Sequence, residues 1–307
     1  MPEILLTLPS YFLEVESRLR RCDWLIHNFH NCDPDAIYRP APYIYRQEFE
    51  GAKCIACIDL NVMQYAVNCV KKVGSNEHRR DACAMLLFCR FANIEIEPSL
   101  SMYERINHGA GDLEEALDEL AIFRALDNAD PNLLAEYMLG NQLSLGCVEV
   151  PVNSDREKVR SGLTRYKRLV DWDSIYVLVL GAVSVQINDK VSGRSKLEHF
   201  LDWMITDFRL SLPIVVYAVR LFGTSRLGGM MKFRLSQTFS ERKRALANMT
   251  WDLYLVDRYL RNWINPEKGR EEIMFTQDKV ARELLRTAIK IQYTDANNRF
   301  SDYLSES

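Results

Sequence analysis

The residues of this chain best suited to chemistry are acids set far apart: Asp59, Glu104, Asp252 and Asp278. Asp59 ends the apolar run of AKCIACIDLNVM, Ala52 to Met63. That run reads as a buried strand, and Asp59, Leu60 and Asn61 as the turn where the strand gives way to a helix. A carboxylate there lies at the rim of a sheet, where open α/β folds place their ligands. Glu104 lies about two turns into a helix opened by Pro98, a position where proline's missing donor does no harm. Asp252 shares an apolar stripe with Leu255, Val256 and Tyr259. An ionised carboxylate on such a stripe is costly unless a metal, a cation or several donors meet it. Asp278 stands between the apolar Ile273 to Phe275 and a helical pattern over Lys279 to Ile289, so it reads as a helix cap or as a fourth member of the set. Gathered together, these hard oxygen ligands suit Mg²⁺ or Mn²⁺, and they would repel one another without such a cation or bound protons.

The elements that must position them are spread over 307 residues, enough for one large domain or two small ones. An apolar fraction of 48% and a charged fraction of 26% are ordinary, and a formal net charge of -3 gives no global sign of a nucleic-acid binder, although it can hide a basic groove. Glu3 to Leu8 reads as a short strand. Phe12, Val15, Leu19, Cys22 and Ile26 form one helical stripe. Asn31 to Arg46, with Pro34, Pro40 and Pro42, reads as an extended connector, and its Tyr38, Tyr43 and Tyr45 either wrap the core or stack on bases. Helices are expected over Val62 to Val73 and Asp81 to Phe91, with Ile94 and Ile96 in a short edge strand. Further helices are expected over Asp112 to Leu126, Leu133 to Leu139, Lys196 to Asp207 and Pro213 to Phe222. Ser174 to Asn188 falls short of the roughly 18 residues that a membrane span needs and reads as a buried helix. Ser240 to Trp263 reads as one long helix capped by Ser240, with Asp257 off the apolar stripe as a surface acid.

Eight cysteines in a chain of this size, with no secretory signal at MPEILLTL, point to reduced core thiols and a cytoplasmic location. Cys54 and Cys57 have the spacing of half a zinc knuckle, yet in a strand they face opposite ways and no second pair follows.

Four stretches carry a family resemblance. CIDLNV at Cys57 to Val62, IEPSLSMYE at Ile96 to Glu104, TWDLYLV at Thr250 to Val256 and FTQDKVAREL at Phe275 to Leu284 resemble, in order, the acidic motifs of PIN-domain nucleases. The resemblance covers about Ala52 to Gly109 and Ala245 to Ile291. It implies an α/β, PIN-like three-layer fold with a central, mainly parallel sheet. The core would comprise 52–109 and 245–291, with a mostly helical insertion at 110–244, an N-terminal extension at 1–51 and a tail at 292–307. It further implies an endonuclease that cleaves phosphodiesters with metal-activated water, Asp59, Glu104, Asp252 and Asp278 forming the Mg²⁺ or Mn²⁺ pocket. Thr276 would give a supporting hydrogen bond, and Asn61 would stand beside Asp59 as a second supporting side chain.

A carboxylate pocket must still attract a polyanion. Arg156, Lys158, Arg160, Arg165, Lys167 and Arg168 form one basic segment, and Arg226, Lys232, Arg234, Arg242, Lys243 and Arg244 belong to another. These read as a rim holding a nucleic-acid backbone, or as solvated helical faces. RNA is the expected partner and DNA the second, with a homo-oligomer or protein partner reached through the helical insertion. His108, near Glu104 in sequence, reads as a polar surface residue. No HExxH, GxSxG, P-loop or dinucleotide fingerprint occurs. The competing reading is a non-catalytic PIN-like subunit that binds nucleic acid or protein.

Overall fold

The computed structural model describes residues 5–27, 34–107, 112–146, 148–149, 156–165, 169–188, 191–224, 227–264, 267 and 269–289. In chain order these form α1 (Phe12–Cys22), β1 (Leu25–Ile26), a 3-10 turn (Pro34–Tyr38), α2 (Pro40–Glu50), β2 (Lys53–Ile58), α3 (Leu60–Lys71) and α4 (Asn76–Phe91). Then come β3 (Glu95–Glu97), α5 (Ser99–Asn107), α6 (Leu113–Asp127), α7 (Pro131–Leu139), α8 (Arg156–Arg165), α9 (Val170–Gln186), α10 (Gly193–Thr206) and α11 (Leu212–Phe222). The long α12 (Phe239–Ile264), β4 (Arg270–Phe275) and α13 (Lys279–Ile289) complete the set. The architecture is mixed α/β, a small sheet with many flanking helices.

The strand order is β1-β4-β2-β3. β2 runs parallel to both β4 and β3, and β1 joins β4 antiparallel. Strand side chains alternate between faces, so β4 feeds two cores, one of which it shares with β2. Cys54, Ala56, Ile58, Ile273 and Phe275 enter a core filled by α1, α3, α4, α6 and α7, whereas Met274 enters a second filled by α9 to α13. The helices between residues 113 and 222 thus divide between the two sides of the sheet. Because β2 and β4 are parallel and in register from Lys53↔Arg270 to Ile58↔Phe275, their carboxyl ends finish side by side. Asp59 and the Thr276-Gln277-Asp278 turn emerge together.

Several local expectations change. Asn31 to Arg46 is no extended connector over its described part, since the 3-10 turn and α2 occupy it. Pro40 and Pro42 lie in the first turn of α2, where no intrahelical donor is needed, so these prolines start a helix. Tyr38 and Tyr43 serve the core: both are buried, and the Tyr43 hydroxyl donates to the Ile37 carbonyl at 2.8 Å. Residues 5–8 form no strand, and Ile26 belongs to β1 rather than to the α1 stripe. Ser240 lies inside α12. Its start is closed by a reciprocal box, in which Thr238 N–H donates to the Glu241 carboxylate at 2.7 Å and Glu241 N–H donates to the Thr238 hydroxyl at 3.3 Å.

Asp257 is a buried acid, not a surface one. It pairs with Arg261 one turn on and accepts from Ser211 at 3.2 Å, a partner that sequence spacing along α12 does not reveal. The Ser174 to Asn188 stretch lies largely in α9, whose Ile175, Leu178, Val179 and Ala182 pack into the second core. Among the described residues no helix is long and apolar enough to cross a membrane.

Candidate metal centre

The centre is built at the carboxyl ends of β2 and β4. Asp59 caps α3, its carboxylate accepting from Val62 N–H at 2.7 Å. The other carboxylate oxygen accepts from the Thr276 hydroxyl at 2.6 Å and from Gln277 N–H at 2.9 Å. Both of its oxygens are therefore fixed before any ligand arrives. The turn supplying two of these donors is held in turn by Arg282, which donates to the carbonyls of Thr276 at 3.1 Å and Gln277 at 2.7 Å. Thr276 also accepts from Asp278 N–H at 3.0 Å, and one Asp278 oxygen caps α13 through Ala281 N–H at 2.8 Å. Asp278 is a helix cap, and its second oxygen faces the ammonium of Lys232 at 3.7 Å.

Glu104, on α5, is electrostatically coupled to Asp59 and Asp278. Ser101, one turn earlier, donates its hydroxyl to the Ile58 carbonyl at 2.6 Å and so ties α5 to the last residue of β2. Asp252 enters from α12 and is ion-paired with Lys232. Lys232 comes from the segment between α11 and α12, where its sequence neighbours suggested a backbone-binding rim. There its ammonium meets Asp252 and Asp278.

Electrostatics record the convergence. Burial pushes Glu104 up to about 8, with the charges of Asp59, Asp252 and Asp278 adding to the rise and Lys232 opposing it. Asp252 is pushed up to about 7, first by burial and then by Asp278, against the pull of Lys232. Asp59 is raised by burial in spite of its three hydrogen bonds. For Lys232, burial works against the ammonium, yet Asp252, Asp278 and Glu104 together raise its pKa. All four acids named from the sequence therefore lie within mutual electrostatic range, and three of them also feel Lys232.

No family model, curated protein or solved structure matches the chain. Its site must therefore be judged on its own geometry.

Among the described residues, no three His, Cys, Asp or Glu side chains stand together as a ready-made metal cage. The donor set nevertheless suits a hard cation. It consists of carboxylates, and that of Glu104 accepts no hydrogen bond from any described residue although burial has raised its pKa. The Lys232 and Asp252 side chains keep 31% and 24% of their surface exposed, so this ion pair is in contact with solvent. Asn61, in the first turn of α3, is exposed.

The basic residues behave differently from one another. Arg156 pairs with Asp118 at 2.7 Å and Glu114 at 2.9 Å, and Arg160 pairs with Glu114 at 2.6 Å. These two arginines are spent on the acidic face of α6. Lys158 is exposed, as are Arg234, Lys243 and Arg244, while Arg242 is half-buried. The Arg165 side chain, Lys167, Arg168, Arg226 and His108 lie outside the described residues.

Sequence reasoning missed Lys232 as a member of the centre, and it missed the backbone N–H groups of Val62 and Gln277 and the Ser101 tie. The signal for Ser101 was weakly present, one turn before Glu104 on the same helix. For Lys232 there was none, because its partners lie in α12 and at the start of α13.

Proposed function

We propose that this chain is a metal-dependent endonuclease that hydrolyses phosphodiester bonds, RNA being the favoured substrate and DNA the second, on a PIN-like core. One observation supports the reading: Asp59, Glu104, Asp252 and Asp278, drawn from four separate stretches of the chain, are electrostatically coupled to one another, with Asp59 and Asp278 at the adjacent carboxyl ends of parallel β2 and β4. Those acids would hold Mg²⁺ or Mn²⁺, which when bound lowers the pKa of water and offsets charge on the phosphate. The chain's own groups prepare the place. Val62, Thr276 and Gln277 orient Asp59, Ser101 sets the helix that carries Glu104, and Asp278 remains anchored as a cap while offering one oxygen. The preference for RNA rests on the motif resemblance.

A second reading, a non-catalytic binding subunit, draws on the ammonium of Lys232 lying where a metal would be expected.

Labelled single-stranded and structured RNA and DNA, incubated with Mn²⁺, Mg²⁺ or chelator, separate the two. Cleavage is expected with metal and not with chelator, and Asp59→Asn and Asp252→Asn should each lower it about a hundredfold or more. Equal cleavage by parent and variants would remove the assignment. Metal binding without cleavage of any substrate would favour the binding subunit.

A further inference from the structure

The geometry points to Lys232 as the internal counter-cation of the carboxylate centre: its ammonium holds the position between Asp252 and Asp278 until a divalent metal ion displaces it. This inference rests on the metal-site reading above and adds a competitor built into the chain.

The argument begins with the backbone. Gly229 adopts a left-handed conformation, φ +89°, which turns the chain just before the lysine. Met230 is buried in the second core, and its carbonyl accepts from the Tyr217 hydroxyl. The Lys232 carbonyl accepts from the Gln237 side chain at 3.3 Å. The main chain on both sides of Lys232 is therefore tied down. Its ammonium, at the end of a flexible four-carbon stem, is free to swing while the backbone stays in place.

What the ammonium meets is equally specific. It is ion-paired with Asp252, lies 3.7 Å from Asp278 and is felt by Glu104. One positive charge serves three carboxyl groups, and Asp59 adds a fourth; burial and mutual repulsion raise the pKa of Glu104 and Asp252, so an entering divalent ion displaces protons as well as the ammonium. Glu104 receives no hydrogen bond from a described residue, so its carboxyl keeps acceptor capacity that an ion of higher charge and coordination number can use. The lysine side chain is 31% exposed, which gives the ammonium a route to solvent without unfolding. A divalent ion and the ammonium cannot share the Asp252 oxygen at close range, since like charges in a partly buried site repel strongly. Metal entry and lysine departure are thus one exchange.

The test uses the full chain stripped of metal and titrated with Mn²⁺, with free ion counted by electron paramagnetic resonance and no nucleic acid present. Lys232→Met keeps the stem and deletes the charge, and it should bind Mn²⁺ roughly tenfold more tightly than the parent. Equal or weaker binding by a folded Lys232→Met overturns the inference. A second measurement needs no variant. Trace acetylation of the parent, read by peptide mass spectrometry against the exposed Lys158, should label Lys232 several-fold faster with Mn²⁺ than with chelator, because the displaced amine becomes accessible. Unchanged or slower labelling overturns it. The two readings fail separately. Metal-dependent cleavage with no effect of Lys232→Met on Mn²⁺ binding removes this inference and keeps the nuclease, whereas tightened binding with no cleavage removes the nuclease and keeps the exchange.

Discussion

Asp59 accepts hydrogen bonds from Val62, Thr276 and Gln277, whereas Asp252, across the same crevice, meets the single ammonium of Lys232. The first wall of the centre is built from backbone and a buried hydroxyl at the ends of two paired strands, so its geometry is fixed when the sheet forms. The second wall is carried by side chains on α5 and α12, with Glu104 accepting from no described group. The contrast separates two tasks. On the proposed metal reading, the fixed carboxylate would give an ion a defined first contact, and the pair with raised pKa values would supply the charge that holds it.

The largest way to break this contrast, short of deleting an acid, is Thr276→Val. The change removes the hydroxyl that donates to buried Asp59 and accepts from the partly buried Asp278 N–H, leaving Asp59 one donor fewer and the Asp278 N–H without this acceptor. A loss of about 1–3 kcal/mol is expected in urea unfolding, with Thr276→Ser close to the parent. Unchanged stability in Thr276→Val would show that the first wall is not held by this hydroxyl.

Lowering pH should sharpen the second wall. Glu104 and Asp252 are raised to about 8 and about 7 by burial and by neighbouring acids, so the folded chain holds protons that the unfolded chain has released. In chelator, their contribution to stability is fully present below the ordinary carboxylate range and is lost as pH rises towards 7 and 8. Melting temperature should therefore rise when pH falls from 8 to 6, and Glu104→Gln, which is neutral throughout, should flatten that slope. An equally steep slope in Glu104→Gln would contradict the assignment.

Smaller effects are expected at the rim. Arg156 and Arg160 are neutralised by Glu114 and Asp118, whereas Arg234, Lys243 and Arg244 are exposed. Alanine at the latter three should weaken RNA binding in chelator and shallow its salt dependence, by a slope of about one per lost phosphate contact. Alanine at Arg156 and Arg160 should leave binding near the parent. A larger loss from the Arg156 and Arg160 pair would reverse the assignment of the two basic segments.

How far the sequence reaches follows the same division. The strand ending at Asp59, the long α12 and the α13 boundaries were legible because apolar periodicity and end signals are local. The place of Asp59 at the strand-to-helix turn and the capping role of Asp278 were legible for that reason too. α2 was obscured by its prolines, which sit in the one turn that tolerates them. Asp257 was misplaced, and the ion pair of Lys232 went unread, because their partners come from elements distant in the chain: Asp257 meets Ser211, and Lys232 meets Asp252 and Asp278. No periodicity records an ion pair across such a distance.

The central claim is that the carboxylates of both walls hold a divalent ion together. An anomalous difference map from crystals soaked in Mn²⁺ tests it directly. The account predicts a peak between the carboxylates of Asp59, Glu104 and Asp252, with the Lys232 ammonium moved off Asp252. A map with no peak there, and Lys232 still on Asp252 under saturating Mn²⁺, would contradict it.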